Sequence, residues 1–354
     1  MILQEMANSA SQWSRADGPE AEIVFSCRVR LARNLEGFTF PPWAHDSVLK
    51  DVSDKVLNAV KRSHYLKNSR LIKMSELSST ERRFLLERHL ISPEFSSGGP
   101  HRFLITEKRE MISLMVNEED HLRLQSILSG LQLMDAWRLT DKIDDELEQN
   151  LDYAFLPQWG YLTSCPTNTG TGMRASCMLH LPALAVTHKI DELMKNISKL
   201  GLVARGLYGE GTKSQGDFFQ ISNQVTLGSR EEEVVDHVES VTRQVVGQEK
   251  KARDILLRRD GIQLRDQMGR AYGTLVSAYL LRSEEAISLL SKLRLGVSLN
   301  LFPQLNVQVL NELFFMITPA QLQIKEGKEM GPLDRDELRA KIIRGRLSKL
   351  GQKK

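Results

Sequence analysis

Cysteine is scarce in this chain of 354 residues. Cys27, Cys165 and Cys177 are the whole set, and none falls in Cys-x-x-Cys spacing. An odd, sparse set excludes a disulfide framework and a thiolate zinc site, and it fits a reducing, cytoplasmic setting. Charge of one sign is also scarce. A net charge of +3 leaves too little positive potential for direct nucleic-acid binding. Long apolar runs are missing: Leu181 to Val186 is among the longest, far short of the roughly 20 residues that cross a bilayer. The start, Met1-Ile2-Leu3-Gln4-Glu5, has no basic stretch followed by an apolar one. Neither a signal peptide nor a membrane partner is expected.

Standard nucleotide loops are missing as well. Gly170-Thr171-Gly172-Met173-Arg174-Ala175 has the letters of a dinucleotide turn, but it follows Cys165-Pro166-Thr167-Asn168 instead of a strand. Gly206 to Gly211 has Walker glycine spacing, yet Thr212 stands where the lysine belongs and Lys213 comes one place late.

What is present divides into two textures. Strand-like segments include Ile23-Val24-Phe25 leading into Ser26-Cys27-Arg28-Val29-Arg30, the pair Phe103–Ile105 and Met111–Val116, Met178–Leu181, Leu202–Arg205 and Phe218–Asn223. Helical patterns are expected over about 47–90, 120–150, 187–200 and 229–259. From about 256 onward helix dominates. The expected organisation is an α+β domain over 1–255 and an all-helical domain over 256–354.

Arginines stand at the junctions. Arg28 and Arg30 alternate on one strand and so share a face. Arg123 is expected at a helix start, Arg174 after a glycine-rich turn and Arg205 at a strand end. Singly, each could be an ordinary surface arginine. Together, five guanidinium forks could hold a polyphosphate without a Walker loop. Two acidic features accompany them, Asn117-Glu118-Glu119-Asp120 and Gly209-Glu210-Gly211, and carboxylates beside an arginine cage suit a cationic second substrate.

Four segments then combine: Ser26 to Asn34, Val116 to Arg123, Cys165 to Ser176, and Arg205 through Asn223. In order and content they resemble the catalytic domain of the phosphagen (ATP:guanido) kinases, over roughly residues 23–255. The resemblance implies a large antiparallel sheet flanked by helices. It implies an ATP site at Ser26, Cys27, Arg28, Val29, Arg30, His89, Arg123, Arg174, Ala175, Ser176, Cys177, Met178, Arg205, Gly206, Leu207, Tyr208 and Gly209. Glu119 and Glu210 would hold the guanidinium, Glu118 would support them, and Cys165 would be the reactive cysteine beside it. Mg²⁺ would be carried with ATP, with no direct protein metal site.

Two departures point to one branch. Only 25 residues precede Ser26, where the small-molecule kinases carry a closing helical domain, and an extra helical region follows. Both resemble the bacterial protein arginine kinases (the McsB family). That implies protein substrates bearing exposed arginines, a homodimer or larger homo-oligomer, an activator protein, and a link to the Clp-type ATPase and protease of stress responses. Arg335-Asp336-Glu337-Leu338-Arg339-Ala340 resembles the family's phosphoarginine-sensing pocket, with Arg335, Asp336, Arg339 and Ala340 as its members. Arg335 and Arg339 share a helix face, and Asp334 is expected to cap that helix. A kinase for free arginine and a non-catalytic adaptor are the alternatives.

Overall fold

The computed structural model describes residues 2–206 and 214–351. Its main strands are β1 (Val24–Arg33), β2 (Arg70–Lys73), β3 (Phe103–Thr106), β4 (Ile112–Val116) and β5 (Leu122–Ser129). After a small hairpin, β6 (Phe155–Leu156) with β7 (Gly160–Tyr161), come β8 (Met173–His180), β9 (Leu202–Gly206) and β10 (Phe218–Asn223). The eight longer strands form one sheet in the order β2-β3-β4-β5-β1-β8-β10-β9, antiparallel throughout. The helices are α1 (Ile2–Ala7), α2 (Asp46–Arg62), α3 (Ser79–Glu87), α4 (Leu133–Glu148), α5 (Pro182–Val186), α6 (Ile190–Lys199), α7 (Glu231–Ser277), α8 (Ser283–Ser298), α9 (Val307–Met316), α10 (Pro319–Glu326) and α11 (Pro332–Gly351). The expected α+β architecture, with a large antiparallel sheet and a helical C-terminal region, is the one observed.

Alternation along β1 sorts its side chains. Cys27, Val29 and Leu31 point to one face, where Ala175, Cys177, Leu179, Phe219 and Ile221 join them. Helices α4, α6 and α7 cover this face with Leu133, Leu193, Ile197, Val234 and Val238. Each such Val or Leu removed from water stabilises the fold by roughly 1.5–3 kcal/mol. The other face of the same strands is largely polar, and that is where the site forms.

Two expected helices are partly strand. Over 47–90, helix α2 stops at Arg62 and β2 intervenes before α3. Over 120–150, Leu122–Ser129 is a central strand, paired with β4 and with β1. Its alternation is hidden in the sequence because residues on both faces of this central strand are buried, Leu124 to Ile127 without a break. Pairing on both sides overrides local preference.

The change of texture near 255 is not a linker. Helix α7 runs through it for 47 residues, with one non-helical residue at Asp260 (φ −125°, ψ 28°). The C-terminal helices share a core with the sheet: Leu290, Leu293, Leu310 and Leu313 pack with Trp13, Phe25 and Phe218. A polar seam reinforces the contact. Arg294 of α8 is fully buried and donates to the carbonyls of Ala21 and Glu22, to Asn311 and to His180 Nδ1. Helix α11 begins at Pro332, so Asp334 lies in its first turn and is not its cap.

Arg33 ties the covering helices to the sheet. It is buried, with Asp144 of α4 at 2.7 Å and Glu231 of α7 at 3.3 Å. Burial opposes its charge, but the two carboxylates outweigh burial and raise its pKa above the ordinary value. Asp144→Ala should leave this guanidinium with a distant partner and destabilise the protein by about 3 kcal/mol. Urea unfolding checks it: the midpoint should fall, and Asp144→Asn should fall less, because an amide oxygen still accepts from Tyr153. An unchanged midpoint would show that Glu231 holds Arg33 alone.

Candidate active site

The polar face of the sheet floors a cavity of about 680 Å³. Register decides which residues meet there. Arg30 on β1 lies opposite Arg174 on β8 and Gln125 on β5, and Arg28 lies opposite Ser176 and Ile127. Arg123 is two residues from Gln125 on the same strand, and Arg205 on β9 pairs with Gln220 on β10. Every second residue therefore faces the cavity: Ser26, Arg28 and Arg30; Arg123, Gln125 and Ile127; Arg174, Ser176 and Met178; Gln220 and Ser222.

Cation crowding marks the site. Burial, then the charges of Arg123 and Arg174, push Arg28 down to about 10. Arg30 is lowered well below its ordinary value by burial and by Arg28, Arg123 and Arg174, and its Nε has no partner among the described residues. Arg174 is lowered by burial, Arg205 and Arg123. Guanidiniums gathered this closely repel each other, and an anion with several oxygens relieves the repulsion. Arg28 makes only a weak side-chain contact among the described residues, to Gln220 Oε1 at 3.3 Å.

The acidic end is a turn between β4 and β5. Asn117 adopts a positive φ of 60° and donates through its amide to the carbonyls of Leu49 and His101. Glu118 is buried and receives Arg123 Nη1 on both oxygens, at 2.8 and 2.7 Å, and the hydroxyl of Ser92. Burial alone would raise its pKa, but Arg123 and these bonds hold the carboxyl below the usual range. Glu119 differs. Burial and the neighbouring Asp120 and Glu118 raise its pKa, and its carboxylate has no hydrogen-bond donor among the described residues. Glu118 thus fixes an arginine, while Glu119 is available to a cation.

Cys165 is brought to the same turn. Its neighbour Ser164 donates its backbone N–H to Asp120 Oδ1 and its hydroxyl to the Glu119 carbonyl, both at 2.7 Å. Asp120 is held in turn by Asn34 Nδ2. Cys165 is half-buried, with Sγ 3.0 Å from Thr167 Oγ1.

The opposite end of the cavity is apolar. Trp13, Leu86, Ile91 and Met178 line it beside His89. His89 has φ 58°, and its carbonyl accepts from Gln125 Nε2 at 2.7 Å. Its ring meets Trp13 and Phe315 edge-on, with centroids 5.5 and 5.8 Å apart. Burial and then Arg28 push its pKa down to about 3, so the imidazole is neutral. An arginine end and an aromatic end with a neutral ring nitrogen suit the two halves of a nucleotide.

Several expected site residues lie elsewhere. Cys27, Val29, Ala175 and Cys177 alternate to the far face of the sheet and are buried in the core. The thiols of Cys27 and Cys177 touch each other at 3.1 Å there, and neither lines the cavity. Gly206 lines the cavity, whereas Leu207, Tyr208, Gly209 and Glu210 fall outside the described residues. In the C-terminal element, Ala340 is core and Arg339 is 1% exposed. Arg339 donates to the carbonyls of Ile317 and Leu281 and to Asp336, so it works as a strut and is not an open ligand group. Arg335 and Asp336 remain at the surface, half-buried. Gln125, Gln220, Ser222, Trp13 and Phe315 were not foreseen. Gln125 could have been found by extending the two-residue step from Arg123, had that segment been read as a strand.

Comparison with known proteins identifies the family. Residues 51–252 match the family model described as ATP:guanido phosphotransferase, C-terminal catalytic domain. Residues 261–354 match the protein-arginine kinase McsB C-terminal domain. The protein-arginine kinase of Halothermothrix orenii is 45% identical over 98% of this chain and 100% of its own length. That of Desulforamulus reducens is 47% identical over 99% of each. In fold, the chain is similar to the crystal structure of a lombricine kinase, with TM-score 0.57 and 24% identity over 66% of this chain and 68% of that one. The chain belongs to the ATP:guanido phosphotransferase family, among its protein-arginine kinases.

Proposed function

We propose that this protein transfers the γ-phosphoryl group of ATP to the guanidino nitrogen of arginine side chains in proteins. One observation carries the reading: five arginines converge on a single face of the sheet, and the Glu119 turn and the Cys165 loop are strapped together at the edge of that cage. Full-length similarity to relatives named protein-arginine kinase supports a protein acceptor over free arginine.

Arg28, Arg30, Arg123, Arg174 and Arg205 would bind and align the phosphates, and His89 with its aromatic neighbours would seat the base. Guanidinium forks fit phosphate oxygens and repel a bare metal ion, so these residues fit the nucleotide and leave Mg²⁺ to its phosphates. Mg²⁺ would supply further charge neutralisation at the transferring group. Glu119 would orient the acceptor guanidinium and take one of its protons as the nitrogen attacks. An N–P bond forms, the P–O bond to ADP breaks, and the proton rests on Glu119. Glu118 acts indirectly by fixing Arg123. Cys165, beside Glu119, would polarise the acceptor without forming a covalent intermediate. Glu210 is assigned the second acceptor carboxylate through the family resemblance.

The wider setting also rests on that resemblance: a cytoplasmic enzyme with an activator protein, whose products enter Clp-type degradation during stress. A homodimer through the helical unit is favoured by exposed apolar side chains there, among them Ile262 (82%) and Tyr279 (78%). Arg335 and Asp336 form the remaining surface of the proposed phosphoarginine-sensing element.

Incubation with ATP, Mg²⁺ and an unfolded acceptor protein should leave acid-labile phosphate on arginines, seen by peptide mass spectrometry at neutral or basic pH. Rapid modification of free arginine with none on protein would overturn the protein-acceptor reading.

Glu119→Gln should lower kcat by about 10²–10⁴-fold while leaving nucleotide affinity within a small factor. Titration calorimetry with a non-hydrolysable ATP analogue separates the two, and equal loss of both would place Glu119 with the nucleotide. In the native enzyme, the raised pKa of Glu119 means that its active, ionised form is lost as pH falls. The acidic limb of kcat/KM should therefore lie above the ordinary carboxylate value of 4.5 and vanish in the Gln variant.

Cys165→Ser should reduce kcat by about tenfold, less than loss of Glu119, and leave the thermal midpoint unchanged. A phosphorylated cysteine trapped during turnover would contradict the non-covalent role.

A further inference from the structure

Beyond the catalytic cage, a second surface feature has the chemistry of a substrate contact. The β6–β7 hairpin, the outer side of α4 and the first turn of α7 enclose an open groove of about 800 Å³. Its walls carry aromatic side chains that would ordinarily be covered. Trp159 is 53% exposed and Phe155 50%, and Leu227 is 46% exposed on the facing segment. Phe155 is held edge-on against Tyr161, with ring centroids 5.2 Å apart, so this apolar surface is pre-formed. Buried Arg33 already lies 3.5 Å over the Tyr161 ring, which shows that the hairpin aromatics accept a guanidinium.

The same groove is acidic in a chain whose net charge is +3. Asp141 and Glu231–Glu233 line it, against one cation, Arg230. These carboxylates are not equivalent. Glu231 pairs with Arg33 and accepts from the Trp137 indole, and Glu233 caps the Arg230 N–H. Asp141 and Glu232 have no ion-pair partner among the described residues. Burial, then Asp145, Glu231, Asp144 and Glu232, raise the pKa of Asp141, as expected where negative charge is in surplus. The positive end of the α7 dipole is already countered by its three glutamates, so the groove does not favour an anion.

Position connects this surface to the chemistry. Tyr161 of the hairpin exchanges backbone hydrogen bonds with Gly170, and Thr171 donates to the Thr226 carbonyl. Thr226 in turn bonds the carbonyls of Thr167 and Thr169. The loop that forms one wall of the groove is therefore the loop that carries Cys165 and is fastened to Glu119.

We propose that this groove binds a cationic, aromatic-contacting stretch of the client polypeptide and so delivers the neighbouring acceptor arginine to the Cys165–Glu119 edge. The proposal rests on the protein-acceptor reading given above. Lysine and arginine side chains of an unfolded segment supply the charge that Asp141 and Glu232 lack and stack on Trp159 and Phe155. A small acceptor, such as an arginine blocked at both ends, has no flanking residues to place in the groove.

The test compares a labelled synthetic peptide of about twenty residues, rich in lysine with one arginine, and N-acetyl-arginine amide. Two variants are used, Trp159→Ala and Asp141→Asn/Glu232→Gln; none of these residues belongs to the catalytic cage. For the long peptide, Kd by fluorescence anisotropy and KM should both rise about fivefold or more in each variant, with kcat within about twofold. KM for the blocked arginine should not move. Wild-type affinity for the long peptide should fall with salt, and less so in the double variant. Unchanged Kd and KM for the long peptide in a folded double variant would overturn the proposal, and so would an equal change for both acceptors. A shift of Trp159→Ala to a smaller species in sedimentation, with peptide affinity intact, would also overturn it and assign the groove to a second copy of the chain. If the wild type modifies neither acceptor, the protein-kinase reading fails, and the anisotropy measurement still decides the groove. The double variant covers the case in which Trp159→Ala does not fold.

Discussion

Repulsion among like charges is the constraint on which the rest of the molecule depends. Arg28, Arg30, Arg123 and Arg174 occupy adjacent strands on one face, and antiparallel register leaves them no room to separate. Such crowding disfavours folding unless the strands are held by other means. The far face supplies those means, since Cys27, Val29, Leu31, Ala175, Cys177 and Leu179 bury against α4, α6 and α7. Alternation of side chains is thus a division of labour within single strands. One face stabilises the sheet, and the other keeps a cationic surface under tension until an anion arrives.

The acidic turn is built by a different device. Asn117 at positive φ reverses the chain tightly after β4, so successive acids point in different directions. Glu118 turns inward to Arg123 and Ser92, Asp120 turns to Asn34 and Ser164, and Glu119 is left outward between them. Three adjacent carboxylates then have three different sets of partners. Glu118 is held below its ordinary pKa, while Asp120 and Glu119 are raised, in both cases by burial first. Of the three, the carboxylate without a fixed partner among the described residues is the one open to a cation or a proton.

The C-terminal helices are joined to this machinery by packing and by a polar seam. Phe315 reaches His89, and Arg294 bonds His180 at the end of β8. Arg294 is buried and bonds the carbonyls of Ala21 and Glu22, so moving α8 away from the sheet breaks buried hydrogen bonds, whereas Arg339 ties α11 to the neighbouring helical segments.

By itself the sequence determined the chemistry and most of its carriers. The five arginines, the acidic run, Cys165 and the order of the motifs could be read because residue types and spacing are properties of the chain. The strand alternation of Arg28 and Arg30 was legible for the same reason. Tertiary structure alone decided the rest. Leu122–Ser129 became a central strand because β1 and β4 pair with it on both sides, which no local pattern reports. That pairing brought Gln125 into the cavity, and alternation sent Cys27 and Cys177 out of it. Arg339 became a strut because the carbonyls of Leu281 and Ile317, far away in sequence, needed donors when buried. Pairing partners and burial depend on residues distant along the chain, so a linear reading reaches the reactive groups but not their surroundings.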